Sequence, residues 1–170
     1  MNLFALYQCP IKAAEAQCDK HVVKMILETA QMLSTAHRIL GSAIDSDLLY
    51  KATHKNHPSA VWIRESERNY HWAYRHFLAL CDEYTYRYGK THLSDTKFRD
   101  AFKSMPFDLP FGKLTPPPQC MPDQYRVPVT SNFWHNTICA YRDYYFNEKS
   151  RIAKYTKRPT PNFMTRGITV

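Results

Sequence analysis

Asp19-Lys20-His21-Val22-Val23-Lys24-Met25-Ile26-Leu27-Glu28-Thr29-Ala30-Gln31-Met32-Leu33 reads as an apolar helix that carries one narrow polar stripe. His21, Lys24, Glu28, Gln31 and Thr35 follow one another at spacings of three and four, so they share a face. The other positions are mostly Val, Met, Ile, Leu and Ala, which favour burial. Between residues 22 and 37 the only charged side chains are Lys24 and Glu28. A solvated helix face normally carries more. The stripe therefore either lines a cleft or forms an i,i+4 pair worth a few tenths of a kcal/mol. If buried and unpaired, its charges would cost desolvation energy.

The chain around it reads as helices. The first runs over about residues 12–40 and ends at Gly41, and Asp45-Ser46-Asp47 supplies turn chemistry. Thr53-His54-Lys55-Asn56-His57-Pro58 opens a second helix, with Pro58 at its first position and Asn56 or His57 as the cap. It continues to Tyr88 and stops at Gly89. A short third helix begins at Ser94, buries Phe98, Ala101 and Phe102, and ends before Pro106. Residues 106–128 hold seven prolines and form an extended, semi-rigid strap across the helices. A last helix covers about Ser131 to Thr156, followed by an irregular tail over 159–170. Leu3, Phe4, Leu6 and Tyr7 are apolar enough to tuck the chain's start into the body. With only four glycines, a hairpin-rich β fold is disfavoured. The expected fold is all-α: a compact single-domain helical bundle of about four helices spanning residues 1–170.

The formal net charge of +8 gives a basic surface that attracts polyanions, nucleic acid first among them. The five cysteines are odd in number and form no C-x-x-C pair, which reads as reduced thiols of a cytoplasmic protein with no metal site. No apolar run approaches the ~20 residues needed to span a bilayer, so no membrane partner is expected. Walker, Rossmann, nucleophile-elbow and H-E-x-x-H motifs are absent, which disfavours phosphoryl transfer, nicotinamide chemistry and zincin hydrolysis.

Two further clusters suit nucleic acid. Lys55 and His57 sit where the second helix begins, and a helix N-terminus favours phosphate; the plainer reading of His57 is a capping side chain. Lys149, Arg151, Lys154, Lys157 and Arg158 follow one another without an intervening acid, beside Tyr141, Tyr144, Tyr145 and Tyr155. Basic and aromatic groups together serve phosphate contact and base stacking, although some of these tyrosines belong to a core.

The pattern Asp19-Lys20-x-x-x-Lys24-x-x-x-Glu28-x-x-Gln31-x-Leu33, followed by Asn56-His57-Pro58-x-x-x-Trp62-x-Arg64, resembles the pyrimidine-dimer DNA glycosylase family, the endonuclease V type of bacteriophages and some bacteria. The resemblance covers about the first 90 residues. It implies a DNA-repair glycosylase and AP lyase that excises ultraviolet pyrimidine dimers from double-stranded DNA, expected to be a cofactor-free monomer in the cytoplasm, or in the host cytosol if phage-encoded. In the family an amine at the chain's start attacks the sugar C1′, an imine forms, and β-elimination cuts the strand. Glu28 matches the family's catalytic glutamate, and His21 stands where the family has a histidine. Lys20, Lys24 and Arg64 accompany these on the matched segments as phosphate contacts. The phage form has a small residue after its initiator Met; here that residue is Asn2. The amine can therefore be that of Met1, that of Asn2 after processing, or Lys24. Two other function classes remain at this point: a non-catalytic nucleic-acid-binding protein, and an enzyme acting on nucleotides or a modified base.

Overall fold

Six α-helices carry the fold: α1 (Pro10–Glu15), α2 (Asp19–Leu40), α3 (Pro58–Glu65), α4 (Glu67–Tyr88), α5 (Leu93–Phe98) and α6 (Phe133–Lys149). The computed structural model describes residues 1–128 and 133–165, and no strand occurs among them. The all-α expectation holds, and α2, α3, α4 and α6 are the longer helices. At the centre α2 packs against α4, with α1 and α3 also laid on α4. Met25, Ile26, Met32 and Leu33 of α2 share a core with Phe77 and Leu80 of α4 and with Phe98 and Phe102. No helix among the described residues is long and apolar enough to cross a membrane.

Two helices expected to be continuous are broken, each for a tertiary reason. The first breaks at residues 16–18, where Cys18 is extended and α2 restarts at Asp19. Several of the backbone groups released there find partners from distant elements. The Glu15 carbonyl accepts from Arg87 Nη2 at 3.0 Å, and the Cys18 N–H donates to the Tyr145 hydroxyl at 2.8 Å. The Asp19 N–H donates to the Lys154 carbonyl at 2.8 Å.

The second break falls at Ser66, whose backbone is extended and whose Oγ caps α4 by accepting from the Asn69 N–H at 3.1 Å. The proline-rich strap enters this break. The Glu67 N–H donates to the Pro110 carbonyl at 2.9 Å, and Ser66 Oγ donates to the Lys113 carbonyl at 3.2 Å. Gly112 passes so close that a Cβ there would lie 2.9 Å from Ser66 Cβ. The strap thus lies across the helices as its composition implied, held also by Trp62 Nε1 donating to Thr115 Oγ1.

The remaining boundaries shift less. α5 starts at Leu93, and Ala101, half-buried, belongs to a separate 3₁₀ turn with Phe102. α6 ends at Lys149 and gives way to a 3₁₀ turn over Ser150–Ile152, short of the expected Thr156. The expected start at Ser131 and the tail beyond residue 165 lie outside the described residues.

The first nine residues are not helical, yet Leu3, Phe4, Ala5 and Leu6 are buried. Such a segment has no ladder for its carbonyls, and a buried carbonyl without a partner is costly. Side chains from distant helices supply the donors. Arg142 Nε donates to Leu6 O at 2.9 Å, Trp72 Nε1 to Gln8 O at 2.7 Å, and His76 Nδ1 to Pro10 O at 2.9 Å.

The far end of the chain is fastened by a buried ionic cluster. Arg87, wholly buried, pairs with Asp19 at 2.8 Å and Glu83 at 2.7 Å, and Glu83 also takes Arg158 at 2.8 Å. Removing one partner from such a cluster strands buried charge. Arg87→Ala is expected to destabilise the fold by about 3 kcal/mol, read from urea denaturation midpoints. A loss below about 1 kcal/mol would show that the cluster behaves as an ordinary surface network.

Candidate active site

The polar stripe of α2 meets the start of the chain. Asn2 organises the approach. Its Oδ1 accepts from the Leu3 N–H at 2.8 Å and the Phe4 N–H at 3.1 Å, and its Nδ2 donates to the Cys120 carbonyl of the strap at 2.7 Å. Phe4 then turns the chain at φ 45°, a left-handed conformation that costs a non-glycine residue about 1–2 kcal/mol. Burial and stacking of the Phe4 ring on the His21 ring, centroids 4.4 Å apart, offset that strain.

The result is an amine against a carboxylate. The Met1 nitrogen lies 3.8 Å from Glu28 Oε2, and the Asn2 N–H donates to the same oxygen at 3.1 Å. Glu28 Oε1 faces Lys24 Nζ at 3.3 Å, so the carboxylate stands between two nitrogens. Glu28 is largely covered, with 14% of its side chain exposed, whereas Lys24 is 67% exposed. Lys24 reaches into solvent from the rim.

His21 sits behind this group. Its Nδ1 is 2.8 Å from the Tyr145 hydroxyl, which already accepts from the Cys18 N–H. The network closes when the hydroxyl donates to Nδ1, leaving the imidazole proton on Nε2. Burial, with Lys149 and Lys24 nearby, lowers the His21 pKa to about 4. The ring is therefore neutral at neutral pH. Further along the stripe, Gln31 is half-buried and Thr35 buried, Thr35 Oγ1 donating to the Gln31 carbonyl at 2.8 Å.

An open groove of about 980 Å³ lies between the start of α3, the strap and α6. His57 and Pro58 form one wall, the strap from Pro118 to Pro122 another, and Arg126, Val127, Pro128 and Tyr144 complete it. The bond from Asn2 to Cys120 ties this groove to the chain's start. The His57 pKa is lowered by burial, then by the terminal ammonium and His54, with Glu28 opposing.

The structure brings Met1, Asn2, His21, Lys24, Glu28 and Lys149 into one neighbourhood, with His57 adjoining. Lys20, Lys55, Arg151 and Lys154 are exposed. Other basic candidates are engaged within the fold. Arg64 folds back on its own helix, donating to Ala60 O at 3.0 Å and Lys55 O at 2.8 Å. Lys157 donates to the Tyr86 carbonyl at 2.9 Å, and Arg158 pairs with Glu83 and Glu15. These three hold structure as well as charge. Sequence reasoning missed the strap's Gln119 and Cys120 and Arg126 as groove residues, whereas Tyr144, named there for base stacking, does line the groove. Among the described residues, no three His, Cys, Asp or Glu side chains converge as metal ligands.

A helical body with its first amine set against a sheltered carboxylate, tied through Asn2 to an open groove, pairs a nucleophile with a proton acceptor at the edge of a cleft. The model of the pyrimidine dimer DNA glycosylases matches residues 1–96, a segment that contains Met1, Asn2, His21, Glu28 and His57, and the chain belongs to that family of DNA-repair enzymes. No curated protein and no solved structure matches it.

The buried histidines set a pH dependence. His21, His37 and His76 are each held near pKa 4, chiefly by burial, against an ordinary 6.5. Between those values the unfolded chain binds more protons than the folded one, so acid favours unfolding. Stability is complete above about pH 6.5 and falls as the pH drops towards 4, by roughly 3 kcal/mol for each histidine. Urea midpoints measured across this window should show the slope, and His21→Gln should flatten it. A flat profile between pH 6.5 and 4 would contradict the neutral, buried assignment.

Proposed function

We infer that the chain is a combined DNA glycosylase and AP lyase that excises ultraviolet pyrimidine dimers through an amine–imine intermediate. The observation that carries this reading is the Glu28 carboxylate, which lies 3.8 Å from the Met1 nitrogen and 3.1 Å from that of Asn2. Whether or not Met1 is trimmed, the free α-amine falls against Glu28. An α-amine is intrinsically less basic than a lysine by roughly two to three pKa units, so more of it is unprotonated near neutrality. That favours the terminal nitrogen over the exposed Lys24 as nucleophile.

In this mechanism the unprotonated amine attacks C1′ of the damaged nucleotide. The C1′–N1 bond breaks and its electron pair leaves with the pyrimidine. Glu28 accepts the proton lost by the amine and returns it to the ring oxygen as the sugar opens to the imine. Glu28, a carboxylate again after protonating the ring oxygen, takes a C2′ proton; that C–H pair forms the C2′–C3′ double bond as the 3′ phosphate leaves with the C3′–O pair. Water then hydrolyses the imine and frees the amine. His21, neutral and locked to Tyr145, positions the Phe4 turn and through it the amine.

Lys20, Lys24, Lys55 and Lys149 supply charge for the DNA backbone around the cleft. Lys154 and Arg151 extend that charge, with Lys157 and Arg158 beyond them near α4. The open groove suits extrusion of a nucleotide from the duplex better than enclosure of a free nucleotide.

Borohydride reduction during reaction with dimer-containing duplex tests the reading. A covalent protein–DNA adduct is expected, mapping to the N-terminal peptide. Glu28→Gln should lower its rate of formation at least 100-fold, whereas Lys24→Gln should retain it. No adduct, or one indifferent to Glu28→Gln, would remove the mechanism.

A further inference from the structure

His57 is placed to do more than cap a helix. As the residue before α3 it accepts the Ser59 N–H on Nδ1 at 3.2 Å. With that lone pair engaged, the single proton of a neutral imidazole resides on Nε2. A ring in this state cannot act as a cation towards phosphate unless the cap is first lost. It remains a hydrogen-bond donor that lines the groove, and it lies close enough to the terminal amine and Glu28 to feel both charges.

The rest of the groove favours an apolar heterocycle over a phosphate. Pro58, Pro118, Met121, Pro122, Val127 and Tyr144 give it apolar walls. Its one guanidinium, Arg126, is engaged with Asp123 at 2.8 Å and with the Met121 carbonyl at 3.1 Å. Its volume of about 980 Å³ is ample for a pyrimidine dimer, at the upper end of ordinary small-ligand sites.

We propose that His57 is a catalytic residue that receives the leaving pyrimidine, its Nε2–H donating to the 2-oxo oxygen as the C1′–N1 bond breaks. The proposal rests on the amine mechanism above. As the amine nitrogen bonds to C1′, the C1′–N1 pair passes into the ring and spreads over N1 and the 2-oxo group. A preformed donor at that oxygen stabilises charge that exists only as the base departs. The amine proton goes to Glu28, so nothing further is consumed.

The test separates base departure from strand cleavage. His57→Asn keeps a side-chain oxygen to cap α3 but withdraws the donor from the Nε2 position. Excision from dimer-containing duplex should fall about 100-fold. Cleavage of a preformed abasic duplex, and borohydride trapping on it, should stay within about twofold, because no base leaves there. His57→Gln, whose amide N–H reaches near the lost Nε2–H, should recover part of the excision rate. Thermal midpoints of both variants report on folding.

Equal losses on both substrates, or no loss on the dimer, would overturn the proposal. If the wild-type chain excises dimers but is not trapped on abasic duplex, the amine reading fails, and the role of His57 is still decided by the effect of His57→Asn on excision. If wild type excises nothing, both fall.

Discussion

A buried stretch of chain that is neither helix nor strand must have its backbone carbonyls satisfied by something else, and the first nine residues of this protein live under that constraint. Leu6, Gln8 and Pro10 each present a carbonyl to a side chain from α6 or α4. Those three donors, Arg142, Trp72 and His76, fix the direction in which the segment runs. The buried Leu3 and Leu6 fix its depth. Once direction and depth are set, the strained turn at Phe4 and the Asn2 side chain leave the terminal nitrogen little choice but the face of α2 that carries Glu28. The carboxylate is thus met by an amine placed through packing far from it.

The long helices were legible because apolar periodicity and the glycines at 41 and 89 agree about them. The two breaks were not, because the apolar period runs on across them. At Ser66 a local signal did exist: a serine followed by Glu67 in the first turn is a cap signature. What makes the cap win over helix continuation is the strap pressing in through Pro110, Gly112 and Lys113, and that lies more than forty residues away in sequence. The buried apolar start of the chain could be read from Leu3, Phe4 and Leu6, since nothing else explains their composition. The importance of Glu28 came from its isolation on an apolar helix and from the family resemblance. Its contact with the amine depends on Asn2 bonding to Cys120, a pairing no spacing rule encodes. Arg158 was read as free charge because its run of basic residues contains no acid, while its partners Glu15 and Glu83 come from α1 and α4.

The family match and the site divide the chain unevenly. Residues 1–96 supply the amine, the carboxylate and His57. One wall of the groove, His57 and Pro58, lies in the matched segment, and the others come from the strap and from Tyr144 of α6, outside it. The candidate site is therefore assembled from two stretches of sequence, the matched segment and the strap with α6. The first is constrained by the geometry of one carboxylate. The second can change its prolines and apolar side chains without moving that carboxylate.

The tethering of Asn2 to Cys120, of Leu6 to Arg142 and of His21 to Tyr145 also orders events in time. These contacts close loops of 118, 136 and 124 residues. Long loops of this kind carry a large entropic cost and form after local contacts have already gathered the chain. The α2–α4 core can assemble from neighbouring helices, but its reactive end cannot be seated until α6 has been made and docked. A chain in which α6 has yet to dock lacks the Arg142 and Tyr145 contacts that hold residues 3–6 and His21 in place.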